Sequence, residues 1–75
     1  MEYDAELDAK GLLCPLPVLK ARKRLQALPS GAVLRMVADD PAAIVDVPHF
    51  CNEAGHALRA TEDLGDAQVY FIQKA

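Results

Sequence analysis

Apolar and polar residues follow regular patterns along almost the whole chain, and these patterns predict alternating strands and helices. Alternation from Tyr3 to Asp8 predicts a first strand with one buried face. The segment from Ala32 to Ala38 is rich in apolar and β-branched side chains, which predicts a second, interior strand. Two more strands are predicted at about His56–Glu62 and Ala67–Gln73, joined by a turn around Leu64-Gly65-Asp66.

A basic amphipathic helix is predicted between the first two strands, from Pro15 to about Leu28. Helical spacing gives it an apolar face and an opposite basic face, formed by Cys14, Val18, Ala21, Leu25 and Leu28 and by Lys20, Lys23 and Arg24 respectively. Arg22 is expected nearer the apolar edge, with its stem packed and its guanidinium group in solvent. The turn residues Pro29-Ser30-Gly31 end this helix.

A second helix is predicted after Asp39-Asp40-Pro41, because an aspartate N-cap followed by proline at the first helical position is a typical helix start. The ring of Pro48 clashes with the preceding turn, so we expect a bend or a brief break there. The helix should resume through Glu53. Gly55 then suits the left-handed residue that follows a helix end.

The predicted order of elements is βαβαββ. Two βα connections imply parallel strands with right-handed crossovers, and the closing hairpin adds an antiparallel pair. We therefore predict an α+β fold, a two-layer sandwich in which a four-stranded mixed sheet carries both helices on one face. With 75 residues the chain makes one small domain, spanning residues 1–75.

Charge and composition narrow the classes of partner and the compartment. The formal net charge is −3, so we expect no direct, stable binding to nucleic acid. The basic residues of the first helix form either a solvated face or a docking surface for an acidic protein. Two cysteines are too few for a secreted disulfide framework, and acidic residues interrupt any N-terminal signal segment, so we expect the cytoplasm. No apolar run approaches membrane-spanning length, and we expect no membrane partner.

Cys14 lies where the first strand meets the first helix, a position that favours a reactive thiolate. Free N–H groups of the first turn and the positive end of the helix dipole stabilise negative charge there. We expect Cys14 to be the N-cap, with Pro15 at the first helical position and Pro17 at the third. The amides of Leu16 and Val18 would then face the sulfur.

A neighbouring cation, Lys10, should support the same thiolate, so we expect the pKa of Cys14 to lie below that of a free thiol. The alternative interpretation is that Cys14 is a small buried apolar residue, which is the commonest fate of a free cysteine.

No other residues supply Cys14 with recognisable catalytic partners. Cys14, His49, Cys51 and His56 lack the paired spacing of metal ligands, so we expect no metal. No resolving cysteine follows within the same turn, as a thioredoxin-like centre would need. No local pattern ties either histidine to Cys14 as a general base. A nucleophile without such partners suits a carrier that receives a group and passes it on.

Two segments of the chain resemble the TusA family of sulfur carrier proteins, also called SirA-like. The first is Asp8-x-x-Gly11-Leu12-x-Cys14-Pro15-x-Pro17, in which Cys-Pro-x-Pro at a strand–helix junction is highly specific. The second is Asp39-Asp40-Pro41-Ala42 followed by Asp46-x-Pro48-x-Phe50-Cys51. The resemblance covers nearly the whole chain. It implies a βαβαββ two-layer sandwich, like the C-terminal domain of translation initiation factor three, in agreement with the order predicted from the pattern.

The resemblance implies that Cys14 accepts sulfane sulfur as a persulfide and relays it to an acceptor protein, with no cofactor. The donor would be a cysteine desulfurase or a rhodanese. The acceptor would lead to 2-thiouridine in tRNA, to molybdenum cofactor or to cytoplasmic sulfur oxidation. Leu16 stands where tRNA-thiolation members carry glutamate, and Leu13 stands where arginine is frequent, so the acceptor stays open. Whether such a sulfurtransferase-type carrier counts as an enzyme also stays open.

Two further interpretations stay open from the sequence. Cys51 resembles the second cysteine of the family and is either a buried structural residue or a resolving thiol for Cys14. The chain could also belong to a rival class, a non-enzymatic module that binds RNA or a protein through the basic helix. Partner docking through that helix would use Lys20, Lys23 and Arg24 in either class.

Overall fold

The order of elements in the computed structural model, which describes all 75 residues, is βαβαββ. The six elements are β1 (Ala5–Asp8), α1 (Leu16–Gln26), β2 (Val33–Ala38), α2 (Ala43–Ala54), β3 (Ala57–Asp63) and β4 (Gln68–Gln73). This order confirms the predicted fold class.

The four strands form one mixed sheet in the order β1-β2-β4-β3. β1 pairs with β2 in parallel, whereas β4 lies between β2 and β3 and is antiparallel to both. The parallel β1–β2 pair is joined through α1, as a crossover connection requires. β2 and β4 are therefore the interior strands, and both have buried apolar residues.

Both helices pack on one face of this sheet. Leu34 and Met36 of β2 lie beside Ile72 and Tyr70 of β4 in the strand register. These side chains share a core cluster with the buried face of each helix, formed by Ala21, Leu25, Val47, Phe50 and Cys51. Alternate strand positions and the i, i+4 helical positions thus meet in one apolar layer.

The opposite face of the sheet is also closed over its centre. Val69 and Phe71 of β4 point away from the helices, yet Phe71 is only 2% exposed. The ring of Tyr3 packs against Phe71 with centroids 6.3 Å apart, and the guanidinium of Arg35 lies 5.8 Å from the Tyr3 ring. Arg35 also reaches Glu6 at 3.4 Å. A small lid of polar and aromatic side chains therefore covers the sheet where no helix does.

Element boundaries differ from the predicted ones by a few residues. α1 ends at Gln26 rather than Leu28. α2 begins at Ala43, with Ala42 as its N-cap and no side-chain capping bond, so the expected aspartate N-cap is wrong. Pro48 lies inside α2, and the helix continues through it without the break that the sequence suggested. Gly55 ends α2 in the left-handed region at φ +81°, as predicted.

Candidate functional site

Cys14 is exposed in the loop between β1 and α1. The N-cap of α1 is Pro15, which makes Leu16 and Pro17 the first two helical residues, so the expected positions are each wrong by one. The reason is a turn in which the Leu16 amide donates to the Leu13 carbonyl at 2.8 Å. Cys14 lies inside that turn, one residue before the N-cap, and the peptide bond between Cys14 and Pro15 is cis.

The turn also changes which amides are available to the sulfur. The Leu16 amide is occupied, so the expectation that it faces the sulfur is wrong. The amide of Val18 makes no backbone hydrogen bond and is the free donor of the first turn.

Cys14 lies at one end of a groove between α1 and α2, with a volume of about 350 Å³. One wall comes from α1 and the other from α2, and the lining residues are Cys14, Pro15, Val18, Arg22, Asp46, His49, Phe50 and Glu53. The guanidinium of Arg22 lies 5.6 Å from the centre of the Phe50 ring, a cation–π contact. Across from it, His49 Nε2 is 3.5 Å from Glu53 Oε1.

Asp46 is the group that most affects the acidity of Cys14. Its carboxylate raises the pKa of Cys14 above the ordinary value, first as an acceptor for the proton of the thiol and also by repelling the thiolate. Partial desolvation and the charge of Asp40 act in the same direction. The two side chains are neighbours without a well-aligned hydrogen bond. The expectation of a lowered pKa is therefore wrong for the unloaded thiol, because a carboxylate from α2 opposes the dipole of α1.

Lys10 does not take part in this site. Its side chain lines a separate groove with Glu6, Asp8 and Arg35, and its charge is not among the causes that shift the pKa of Cys14. Lys10 is only four residues from Cys14 in the sequence, but it lies two residues after the end of β1, whereas Cys14 lies beyond the turn at Gly11. The expected support of the thiolate by Lys10 is not seen.

Two consecutive aspartates bind the loop that carries Cys14. Asp39 Oδ1 accepts the Gly11 N–H at 2.9 Å, and Asp40 Oδ2 accepts the Cys14 N–H at 2.7 Å. The other oxygen of Asp40 accepts the Ala42 N–H at 3.1 Å, just before α2. Gly11 has φ +81°, a left-handed conformation that other residues adopt only with strain.

Apolar side chains are exposed around the sulfur. Leu13 is 70% exposed and Leu16 is 45% exposed, and we call these two residues the apolar rim. Val45, next to Asp46 on α2, is exposed to a similar degree. Large exposed aliphatic side chains next to a reactive group are typical of protein interaction sites.

The basic residues predicted for docking are exposed on α1 but do not line the groove. Lys20, Lys23 and Arg24 all lie outside it, and we call these three residues the basic face. Arg22 is the basic residue of α1 that does line the groove. Sequence reasoning missed the groove itself, although its two walls repeat at helical spacing in Pro15, Val18 and Arg22 and in Asp46, His49 and Glu53.

The remaining candidate residues lie away from the sulfur or in the core. Cys51 is 3% exposed within the core cluster, and burial raises its pKa to about 11. His56 Nδ1 accepts the backbone N–H of Ala75 at 3.0 Å and so holds the C-terminus. No group of three or more histidine, cysteine or acidic side chains is arranged to hold a metal ion.

Comparison with known proteins assigns the chain to a family. The family profile described as Sulfurtransferase TusA matches residues 5–74. The chain belongs to the TusA family. It is 40% identical over 74 residues to the Sulfur carrier protein TusA of Allochromatium vinosum, covering 99% of this chain and 97% of that protein. It is 42% identical to the Sulfur carrier protein TusA of Pseudomonas syringae pv. syringae, covering 99% and 88%.

A solved structure shows the same fold. The SirA-like protein from Desulfitobacterium hafniense superposes with a TM-score of 0.77, at 23% sequence identity, over 93% of this chain and 96% of that one. The family profile and the relatives confirm the predicted family, and this likeness confirms the predicted sandwich. As a TusA-family protein, the chain has the sulfur carrier function expected from its motif. None of its helices is long and apolar enough to cross a membrane.

Proposed function

We propose that the protein carries sulfur as a persulfide on Cys14, and that the exposed position of Cys14 at the end of the α1–α2 groove is the observation that best supports this role. The Cys14 thiolate attacks the outer sulfur of a donor persulfide. The S–S bond of the donor breaks, the donor leaves as a thiolate, and a new S–S bond forms on Cys14. The thiolate of an acceptor then repeats the same exchange, and neither step needs an outside oxidant or reductant.

A persulfide on Cys14 would place its charged sulfur farther from Asp46 than a thiolate of Cys14 would be. A persulfide is more acidic than a thiol, so its terminal sulfur is anionic at neutral pH. That sulfur lies one S–S bond, about 2 Å, beyond the thiol position. Because Cys14 is exposed, this sulfur would extend toward solvent, where water weakens its repulsion by the Asp46 carboxylate. The loaded sulfur would therefore lie where donor and acceptor proteins can reach it.

Loading with a persulfide donor tests the assignment of Cys14. Wild type and Cys51→Ser should each gain the mass of one reductant-sensitive sulfur, whereas Cys14→Ser should gain none. Cys51 is the matched control because it is the other free cysteine, lies in the core and has a pKa raised to about 11. Equal loading of Cys14→Ser, measured by intact mass, would refute the assignment.

A sulfur carrier implies a donor protein and an acceptor protein. We propose a cysteine desulfurase or a rhodanese as the donor, docked through its acidic surface to the basic face of α1. The apolar rim would complete the contact around the sulfur. Leu13 and Leu16 give an acceptor a neutral, aliphatic surface to match, and the acceptor would belong to tRNA thiolation, molybdenum cofactor synthesis or sulfur oxidation. We also propose a cytoplasmic site of action, because an exposed carrier thiol stays free in a reducing compartment.

A further inference from the structure

One carboxylate joins the two segments between which the sulfur lies. Asp40 Oδ2 accepts the Cys14 N–H at 2.7 Å, and Asp40 Oδ1 accepts the Ala42 N–H at 3.1 Å. Cys14 belongs to the loop before α1, while Ala42 is the N-cap of α2. Asp40 therefore bridges the loop of the sulfur to the start of the second helix.

This bridge is the main polar contact that fixes Cys14. Cys14 makes no backbone–backbone hydrogen bond, since the turn around it closes from Leu16 to Leu13. A hydrogen bond to an ionised acceptor is shorter and stronger than one between neutral groups, and 2.7 Å is at the short end of that range. The neighbouring Asp39 binds the same loop three residues earlier, at the Gly11 amide.

The bridge also determines what the sulfur faces. Asp46 lies in the first turn of α2, four residues after the N-cap Ala42 that Asp40 binds. By fixing Cys14 to this end of α2, Asp40 keeps the sulfur beside the Asp46 carboxylate and at the end of the groove. The Asp39 bond holds the loop only at Gly11, so loss of the Asp40 bond is what would let the sulfur move away from α2.

We propose that Asp40 is a positioning residue for sulfur transfer, whose carboxylate holds Cys14 against α2 so that the sulfur stays at the end of the groove beside Asp46. Its significance for transfer rests on the proposed role of Cys14. A sulfur held in one place presents the same geometry to donor and acceptor, and exchange depends strongly on the alignment of the reacting sulfurs.

Two substitutions separate position from charge. Asp40→Asn and Asp40→Ala both remove the negative charge, but only Asp40→Asn keeps an oxygen that can accept a backbone N–H. The readout is the rate of Cys14 alkylation by iodoacetamide as a function of pH, in a Cys51→Ser background. We expect a lower midpoint in Asp40→Ala than in Asp40→Asn, because the released sulfur moves away from Asp46. Equal midpoints in the two variants would overturn the proposal.

A second background and a matched control test the route of the effect. In an Asp46→Asn background, Asp40→Asn and Asp40→Ala should have the same alkylation midpoint. Residue 46 then carries no charge, so moving the sulfur away from it no longer changes the acidity of Cys14. A difference of unchanged size there would contradict the proposal. Asp39→Ala is the control, since it removes an equal charge and a bond to the same loop but not the bond to Cys14. If Asp39→Ala shifted the alkylation midpoint as much as Asp40→Ala does, a specific role for the Cys14 hydrogen bond would be contradicted.

A second measurement covers the case in which Asp40→Ala does not fold. In Asp40→Asn, whose neutral amide oxygen is a weaker acceptor, the Cys14 amide proton should lie upfield of its wild-type position in NMR. A Cys14 amide proton at the same position in both proteins would overturn the proposal. Neither readout involves sulfur transfer, so failure of persulfide loading and failure of the positioning role are separate results.

Discussion

Asp46 shows how one side chain from a distant segment changes the chemistry of Cys14. The start of α1 favours a thiolate through its dipole and the free Val18 amide. The Asp46 carboxylate, which belongs to α2, opposes this and raises the pKa of Cys14. At any pH below that raised pKa, a smaller fraction of Cys14 is thiolate than in an ordinary cysteine. The Asp46 carboxylate therefore lowers the share of Cys14 that can act as a nucleophile at neutral pH.

Asp46→Asn should lower the pKa of Cys14, because the amide neither repels the thiolate nor accepts the thiol proton as strongly. Alkylation of Cys14 should then reach half of its maximal rate at a lower pH, and the rate at neutral pH should rise. The pH of half-maximal rate is measured in a Cys51→Ser background by quenching the alkylation at set times across a pH series and detecting the product by mass. The matched control is Glu53→Gln, which removes an acidic charge from the other end of the same groove. A midpoint that stays in place in Asp46→Asn, or moves equally in Glu53→Gln, contradicts the role of Asp46.

Among the helices and strands, local sequence patterns predicted the positions and ends that depend on local geometry. The alternation in β1 and the apolar face of α1 predicted both elements to within a few residues, because burial on one side imposes a fixed period. The position of Gly55 predicted the end of α2 for a similarly local reason. The predicted aspartate N-cap of α2 was wrong because the Asp40 carboxylate binds the amides of Cys14 and Ala42 instead of an amide inside α2.

The groove was beyond this kind of prediction. Its walls are two helical stripes, one containing Arg22 and the other containing His49, and each is visible in the sequence. Their meeting depends on how α1 and α2 pack side by side on the sheet. The sign of the pKa shift at Cys14 depends on the same packing, because Asp46 reaches the sulfur only when the helices are adjacent. The sequence therefore singled out Cys14 as the candidate sulfur but did not predict its electrostatic surroundings.

The basic face of α1 is expected to steer an acidic partner toward Cys14. Reversing Lys20, Lys23 and Arg24 to glutamate should slow sulfur exchange with an acidic protein partner about tenfold or more at low salt, and should weaken the dependence of the rate on salt. Loading by a small persulfide should stay nearly unchanged, because the basic face lies outside the groove of Cys14. Rates of exchange measured by stopped-flow or quenched mass analysis over a salt series check both statements.

The control for this variant reverses a basic charge on the sheet, away from α1. Arg59→Glu reverses an exposed charge on β3, whose side chain contacts Gln73 rather than the site. It should leave exchange and its salt dependence close to wild type. A triple variant that exchanges sulfur at the wild-type rate across all salt concentrations would reduce the basic face to a solvated surface. The apolar rim would then be the remaining candidate for docking.

At the scale of the molecule, the two faces of the sheet have different roles. The helical face contains the main core and places the ends of α1 and α2 together, which creates the site. The opposite face has no helix, yet Phe71 is buried there under Tyr3 and Arg35. A domain of this size has a net stability on the order of only 4–11 kcal/mol, so this second apolar contact matters to the fold. It contributes to stability without touching the sulfur.

Phe71→Leu should therefore lower the free energy of unfolding by about 1–2 kcal/mol, because it removes part of a buried ring and leaves a gap beneath Tyr3. Persulfide loading of the folded variant and the pKa of Cys14 should both match wild type, since Phe71 lies on the face away from the helices. Leu64→Ala is the matched control, because Leu64 is 52% exposed in the β3–β4 turn and its loss should change stability by no more than about 0.5 kcal/mol. Urea unfolding measures the two free energies, and alkylation across pH measures the thiol. A Phe71→Leu variant as stable as Leu64→Ala would mean that the lid of Tyr3 and Arg35 adds nothing to the fold, and a shifted Cys14 midpoint would mean that the two faces are coupled.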